Sequence, residues 1–330
     1  MKKILGIGNA LVDVVTPIDN ERILEKFGLP KGSMQLVDEV KSNTIKSGTG
    51  GFKKTLASGG SAANTIHGLS MLGVPTGFIG SIGKDETGDF FEKDFRDAGV
   101  KTLLHKRETP TGTAVALITP DSERTFATHL GAAVELSPED LNPKYFKGFD
   151  ILYLEGYLII NKQLVESACK IAKSNKMKIA LDLASYNVVQ ARLPDFKEIV
   201  GKYVDILFAN EEEAKAFTGL DAETALFNLS DLCETVVVKI GAEGSLLKRG
   251  EEVIRIGTIP VNCKDTTGAG DLYASGFLYG VAINDPLENC GLYGAILSGK
   301  VIEIAGARMG NSIWDEIRRM IAVVKADEEG

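Results

Sequence analysis

The sequence predicts a doubly wound α/β fold: a mostly parallel sheet with helices on both faces, plus a small β-rich lid. Three features carry that expectation. Six short runs rich in Ile, Val and Leu recur along the chain, segments with helical spacing lie between them, and two stretches break the alternation.

The runs are Lys3–Gly8, Gly77–Ile82, Asp150–Leu154, Lys178–Leu183, Val204–Ala209 and Thr235–Ile240. Continuous apolar character over so few residues is that of strands buried on both faces. Helical spacing marks Ala62–Leu72, Thr87–Ala98, Lys162–Ser174 and Glu211–Phe217, and strands alternating with helices build a parallel sheet covered on both sides. The exceptions are Val12–Asp38 and Thr111–Thr128, where β-like pieces such as Thr113–Thr119 and Arg124–Thr128 flank the turn signal Pro120-Asp121-Ser122-Glu123. These excursions are expected to pair outside the main sheet as a cover over its strand C-terminal ends, where ligands of open α/β sheets bind. From Ala269 the chain reads as a helical tail broken at Gly306–Asn311 before Ser312–Lys325, and Asp327-Glu328-Glu329-Gly330 reads as a frayed end. One domain over 1–330 accommodates all of this.

Hydrophobic residues at 44% and charged residues at 25% are enough to bury a large core, so disorder is not the default. A net charge of -8 and no strong Lys/Arg block disfavour nucleic acid as a partner. They do not disfavour a nucleotide, because backbone amides, a helix N-terminus and a divalent cation supply local positive potential. The four cysteines form no Cys-x-x-Cys pair and the three histidines are dispersed, so no zinc spacing is present. Scattered thiols fit a reduced, cytoplasmic setting. The N-terminal apolar stretch is too short for a signal-peptide core and reads as a first strand, with no membrane implied.

Four motifs carry candidate chemistry. Thr266-Thr267-Gly268-Ala269-Gly270-Asp271 opens a helix; small residues there let amides approach an anion, and Asp271 stands where a carboxylate could take a proton from an attacking hydroxyl. The plain alternative is a glycine-rich turn with an acidic first-turn residue. Gly59-Gly60-Ser61-Ala62-Ala63-Asn64 opens another helix, its glycines permitting close ligand approach and Asn64 offering donor and acceptor to sugar hydroxyls, although close helix–strand packing explains the small residues as well. Gly6-Ile7-Gly8-Asn9-Ala10-Leu11-Val12-Asp13 has Leu11 where a dinucleotide fingerprint needs its third glycine, which disfavours a nicotinamide oxidoreductase. Asn9 and Asp13 read instead as a polar pair after the first strand, or Asp13 as a turn cap. Asn210-Glu211-Glu212-Glu213 is either a helix-start capping box or a carboxylate acting through water on magnesium. No Gly-x-x-x-x-Gly-Lys-Ser/Thr run is present, so an ATP site here differs from a P-loop.

In order and over nearly the whole chain, Gly59–Asn64, Asn210–Glu213 and Asp265–Asp271 closely resemble the motifs of the ribokinase/PfkB carbohydrate kinase family. The resemblance implies phosphoryl transfer from MgATP to an alcohol, with Asp271 as base and Gly268, Ala269 and Gly270 around the transferring group. It implies Glu213 near Mg2+ through water, and Asn210, Lys239, Gly241, Gly244 and Thr266 on the nucleotide side. Asp265 and Thr267 match the place where many members hold a monovalent cation such as K+. Gly8–Asp13 and Pro110-Thr111-Gly112-Thr113 are more similar to the adenosine kinase branch than to ribokinases. That likeness implies Asn9, Asp13, Gly59, Gly60 and Asn64 around a ribose, Arg124 near the transfer site, and Tyr157 with Leu11 and Leu36 near a nucleoside base. A free sugar such as ribose or fructose is the alternative acceptor, and a ligand-binding regulator that has lost catalysis is the non-enzymatic one. The partners expected are a small-molecule substrate and ATP, in a monomer or homodimer.

Overall fold

The computed structural model describes residues 1–121 and 123–326. Ser122 of the expected turn and the expected frayed end 327–330 lie outside them. The first half of the chain forms β1 (Ile4–Ile7), β2 (Leu11–Pro17), β3 (Met34–Leu36), β4 (Thr55–Gly59), β5 (Thr76–Gly83), β6 (Lys101–Arg107), β7 (Thr111–Ile118) and β8 (Arg124–Gly131). The second half adds β9 (Ile151–Glu155), β10 (Lys178–Asp182), β11 (Ile206–Asn210), β12 (Thr235–Lys239), β13 (Ser245–Arg249) and β14 (Glu252–Ile256).

Nine strands form the main sheet in the order β14-β13-β12-β11-β10-β9-β1-β5-β6. Pairing is parallel from β12 to β6 and antiparallel only at β12–β13–β14. Alternate residues of each central run enter different cores. Leu5, Ile7, Leu152, Leu154, Ile179, Leu181, Val236 and Val238 pack on one face, while Ile4, Tyr153, Ala180, Phe208 and Val237 pack on the other. Burial on both faces is why these strands read as unbroken apolar runs. The first face is covered by helices Lys162–Ser174, Leu193–Tyr203, Glu211–Thr218 and Ala222–Ser230, the second by Ser61–Met71, Glu86–Asp97, Ala269–Ile283 and Leu287–Val301. The last helix, Asn311–Ala326, closes a further cluster around Trp314 and Ile317.

A second sheet of five strands, β3-β8-β7-β2-β4, gathers the two irregular excursions. Its residues Val14, Val115, Leu117 and Ala127 pack with Leu24, Phe27 and Ile45 from helices Arg22–Phe27 and Glu39–Gly48. Asp13 and Phe126, each one residue away from this packed set, face a large cavity at the main sheet's C-terminal edge. Sequence patterning did not single out β4, β6, β13, β14 or the two small helices. Those strands are short or at sheet edges, β6, β13 and β14 carry Lys or Arg, and helix Glu39–Gly48 buries only Ser42 and Ile45.

Helices Ala269–Ile283 and Leu287–Val301 meet backbone to backbone: a Cβ on Gly276 would lie 2.2 Å from the Tyr293 carbonyl oxygen. Gly201, in the exposed part of helix Leu193–Tyr203, has only Leu232 Cδ2 at 3.8 Å. Gly276→Ala should therefore destabilise the fold by about 1–3 kcal/mol through overpacking. Gly201→Ala should stabilise it by about 0.5–1 kcal/mol through helix propensity. Urea midpoints of the two variants check this, and equal midpoints would contradict the backbone contact at Gly276.

Candidate functional site

The polar groups gather where parallel strands end. Glu155, Asp182 and Asn210 close β9, β10 and β11, Lys239 closes β12, and register sets Asp182 opposite Glu155 and Asn210 opposite Lys239. Strand C-terminal ends in an open α/β sheet leave such a crevice free of covering helices. A cavity of about 980 Å³ occupies it.

Asp271 lies in the first turn of helix Ala269–Ile283, below Gly268 with its left-handed φ of 78°. Its carboxylate accepts hydrogen bonds from Ser61 Oγ at 2.7 Å and Asn64 Nδ2 at 2.9 Å. Burial pushes its pKa up to about 6 against the pull of those two bonds. The Ala269 amide donates to Thr266 O at 3.1 Å, so that member of the expected anion hole is occupied by the turn. Among the described residues nothing engages the amides of Gly268, Gly270 and Asp271, which are therefore the donors available to an anion. Lys239 lies beside them: its Nζ would be 3.1 Å from a Cβ on Gly270, and it pairs with Asp182 at 2.8 Å. Burial alone would lower the Lys239 pKa, but Asp182 and Glu213 hold it above its ordinary value.

Gly60, at φ 103°, starts the helix carrying Ser61 and Asn64; a Cβ there would lie 2.1 Å from Asn9 O. Asp13 lines the cavity with Gly60, Asn64 and Tyr157. Its pKa is pushed up to about 6 by burial, with Arg308 opposing the shift most. Tyr157 gives its hydroxyl to Ala184 O at 3.3 Å and presents the ring. Asn210, Glu213, Gly241, Gly244, Thr266 and Thr267 line the nucleotide-side expectation's half of the cavity. Asn210 and Glu213 do form the capping box, each bonding the other's backbone amide at 2.8 Å, and Asn210 Nδ2 adds a third bond to Glu213 Oε1. Burial and Asp182 raise the Glu213 pKa.

Six expected residues, Asn9, Gly59, Arg124, Asp265, Leu36 and Leu11, do not line this cavity. Asn9 turns its side chain to Glu155 Oε1 at 2.5 Å and does not line the cavity. Glu155 also accepts the Asn9 and Ala62 amides, and its pKa is pushed up to about 7 by burial. Gly59 backs the Asp13 carboxylate instead of lining the cavity; a Cβ there would lie 2.5 Å from Asp13 Oδ1. Arg124 forms an ion pair with Asp265 at 2.8 Å, tying the small sheet to the anion loop. Asp265 also accepts from Thr267 N, Thr267 Oγ1 and Gly306 N. A carboxylate has about four lone-pair sites, and these four donors fill them, so direct ligation of a monovalent cation by Asp265 would require one of them to be displaced. Leu36 lines a separate shallow cavity and Leu11 lines neither, whereas Phe126 reaches the main one. Sequence reasoning also missed Asp182, Ser61 and Arg308; an acidic residue ending an apolar run was the available signal for Asp182.

The buried acids make stability depend on pH with a definite sign. Asp13, Glu155 and Asp271 bind protons more tightly in the folded chain than in the unfolded one, so their effect favours folding as pH falls. It is lost as pH rises through about 6 to 7. The urea midpoint of the free protein should rise as pH falls from about 8 to about 5.5, and Asp13→Asn with Asp271→Asn should reduce the rise to the part that Glu155 carries. An unchanged slope in that double variant would refute the assignment.

Comparison with known proteins agrees with this architecture. The pattern of the pfkB family carbohydrate kinases matches residues 34–314. A crystal structure of adenosine kinase from Sinorhizobium meliloti is similar at 35% identity and a TM-score of 0.87, covering 97% of this chain and 99% of that one. A probable sugar kinase from Rhizobium etli CFN 42 is similar at 32% identity, with a TM-score of 0.87 and coverage of 97% and 98%. Adenosine kinase 1 of Arabidopsis thaliana is 27% identical over 328 residues, 92% of this chain and 94% of that protein. The chain belongs to the pfkB family of carbohydrate kinases and is a phosphotransferase with an alcohol group as acceptor.

Proposed function

We propose that the protein transfers the γ-phosphoryl group of MgATP to the primary hydroxyl of a ribonucleoside, with adenosine the favoured acceptor. The observation that carries this is one cavity joining Asp271 and its neighbouring amides to Asp13, Phe126 and Tyr157 on one side and Lys239, Gly241 and Gly244 on the other. At about 980 Å³ it lies at the upper end of the range for one small ligand, room enough for donor and acceptor together. The aromatic rings suit a base, Asp13 suits ribose hydroxyls, and the likeness to the Sinorhizobium adenosine kinase supports the same acceptor.

Asp271 accepts the proton of the hydroxyl as its oxygen attacks the γ-phosphorus and ADP leaves with the bridging oxygen, while Ser61 and Asn64 keep the carboxylate aimed. The free amides of Gly268 and Gly270, with Lys239, receive charge on the transferring group; phosphoryl transfer is governed mainly by such positioning and electrostatics. The oxygen donors Asp182, Asn210 and Glu213 line the same cavity and suit a hard cation. Among the described residues no cluster of His, Cys, Asp and Glu could hold a metal by itself. That fits Mg2+ carried chiefly by phosphates and water, with Glu213 acting through water. The ion would neutralise phosphate charge. The Arg124–Asp265 pair supports reading the five-stranded sheet as a lid that limits attack by water. A free sugar is the second acceptor reading, favoured by the similarity to the Rhizobium sugar kinase.

Asp271→Asn should lower turnover by roughly 10²–10⁴-fold with nucleotide affinity kept, the scale of a positioned general base. In the wild type, activity should decline as pH falls through about 6 and Asp271 takes up its proton. Near-normal turnover in the variant would remove Asp271 as the base.

Initial rates with adenosine, inosine, guanosine, deoxyadenosine, ribose and fructose under identical MgATP test the acceptor. Adenosine should lead, and deoxyadenosine should be roughly tenfold poorer, since an unpaired buried polar group costs about 1–3 kcal/mol. A free sugar exceeding every nucleoside in kcat/KM would overturn the nucleoside reading and leave the kinase chemistry intact.

A further inference from the structure

Arg308 stands in the loop between helices Leu287–Val301 and Asn311–Ala326, where no motif marks it. Its Nη1 donates to Asn64 Oδ1 at 3.1 Å, and its Nε and Nη2 donate to Ser58 Oγ at 3.1 and 2.7 Å. Ser58 in turn donates to Asp94, whose carboxylate lies 3.8 Å from Arg308 Nε. The guanidinium lies over the Phe95 ring, 6.0 Å from its centroid.

The chemistry of these partners is directional. A guanidinium has donors only, so Asn64 must turn its carbonyl oxygen toward Arg308. The amide nitrogen then faces Asp271, where a carboxylate needs a donor. With the amide reversed, both ends would fail at once: nitrogen against guanidinium, and oxygen against carboxylate. The same cation acts on a wider set of groups. Those facing it are Asp94 on helix Glu86–Asp97, Asp13 on β2, Asp271 on helix Ala269–Ile283 and His67 on helix Ser61–Met71. Burial pulls the Arg308 pKa down to about 10, while Asp94, Asp13 and Asp271 oppose that. Burial and Arg308 lower the His67 pKa, which keeps that ring neutral. Arg124 adds a smaller positive influence on Asp13.

We propose that Arg308 is a positioning residue of the transfer site: it turns the Asn64 amide toward Asp271 and brings a permanent positive charge to bear on both Asp271 and Asp13. The proposal rests on the reading of Asp271 as base and Asp13 as acceptor ligand. It assigns the loop after helix Leu287–Val301 a part in the site, although Arg308 does not line the cavity.

Arg308→Gln keeps a donor but removes the charge, and Arg308→Lys keeps the charge but removes the fork. Carbon NMR of the Asp13 and Asp271 carboxyl groups needs no acceptor and so stands apart from the functional reading. In Arg308→Gln the Asp13 midpoint should rise by about one pH unit and the Asp271 midpoint should rise by less. With an acceptor that the wild type phosphorylates, the acid limb of kcat/KM should shift upward together with the Asp271 midpoint. Arg308→Lys should leave that limb in place and lower plateau kcat by about tenfold or more, because Asn64 is no longer held in one orientation. Affinity for a non-hydrolysable ATP analogue should stay within about twofold in both. A lowered melting temperature with unmoved carboxyl midpoints, acid limb and plateau kcat would reduce Arg308 to a structural tie and overturn the proposal. Should neither variant fold, Asn64→Leu retains size but can neither accept from Arg308 nor donate to Asp271. Plateau kcat should then fall by about tenfold or more, and an unchanged plateau would overturn the amide route.

Discussion

Burying the Asp271 carboxylate without a direct cation partner is the constraint around which the rest of the structure is arranged. An isolated ionised carboxylate in a protein interior is strongly disfavoured, so it must be hydrogen-bonded or take up a proton. Two donors from one helix, Ser61 and Asn64, meet the two oxygens of an acid on another. Their register needs the chain to enter helix Ser61–Met71 abruptly, through a glycine at positive φ pressed on Asn9 O. It also needs helices Ser61–Met71 and Ala269–Ile283 to lie close, which Thr65 and Ser275 secure through reciprocal bonds to the Asp271 and Thr65 carbonyls. The geometry around Asp271 and the core packing therefore share the same contacts.

A second buried acid does comparable work without facing the cavity. Glu155 collects the Asn9 and Ala62 amides and the Asn9 side chain, joining the end of β1 to the start of the helix that carries Asn64. Unlike Asp271, it takes two of its three hydrogen bonds from backbone amides, so it fixes the chain path. The contrast separates the two roles: donors from backbone hold structure rigid, whereas donors from side chains that also meet solvent space leave an oxygen face available to a hydroxyl.

Legibility in the sequence followed how local the physics was. Central strands were readable because double-sided burial makes them continuously apolar, and the two helix-opening glycine motifs were readable because they are contiguous. The small sheet was only half visible: β2, β7 and β8 have β-like composition, but Thr55–Gly59 is polar and pairs with β2 only through folding. Asn9 was read as a ligand for sugar hydroxyls because nothing nearby in sequence competes for it; the competitor, Glu155, stands 146 positions away. Arg308 was invisible for the same reason, since its partners lie 244 to 250 positions away. Leu36 failed in the opposite direction, an apolar residue in the expected lid that faces away from the main cavity.

The placement of charge also explains how an acidic protein can handle a polyanion. Asp13, Asp182, Glu213 and Asp271 all face one cavity, with Lys239 as the nearby side-chain cation on the nucleotide side. Bare triphosphate would be repelled by that set, whereas triphosphate accompanied by a divalent cation brings its own neutralisation and meets amides rather than carboxylates at the helix start. Under the proposed function, selectivity for the metal-bound form would follow from acids that a purely attractive site would have avoided. For the proposed base, burial is useful because it raises the Asp271 pKa toward about 6, where a carboxylate is still ionised at neutral pH yet is a stronger proton acceptor than an exposed one. The cost in folding stability at neutral pH and the gain in basicity come from the same desolvation, so a variant that relieved one would weaken the other.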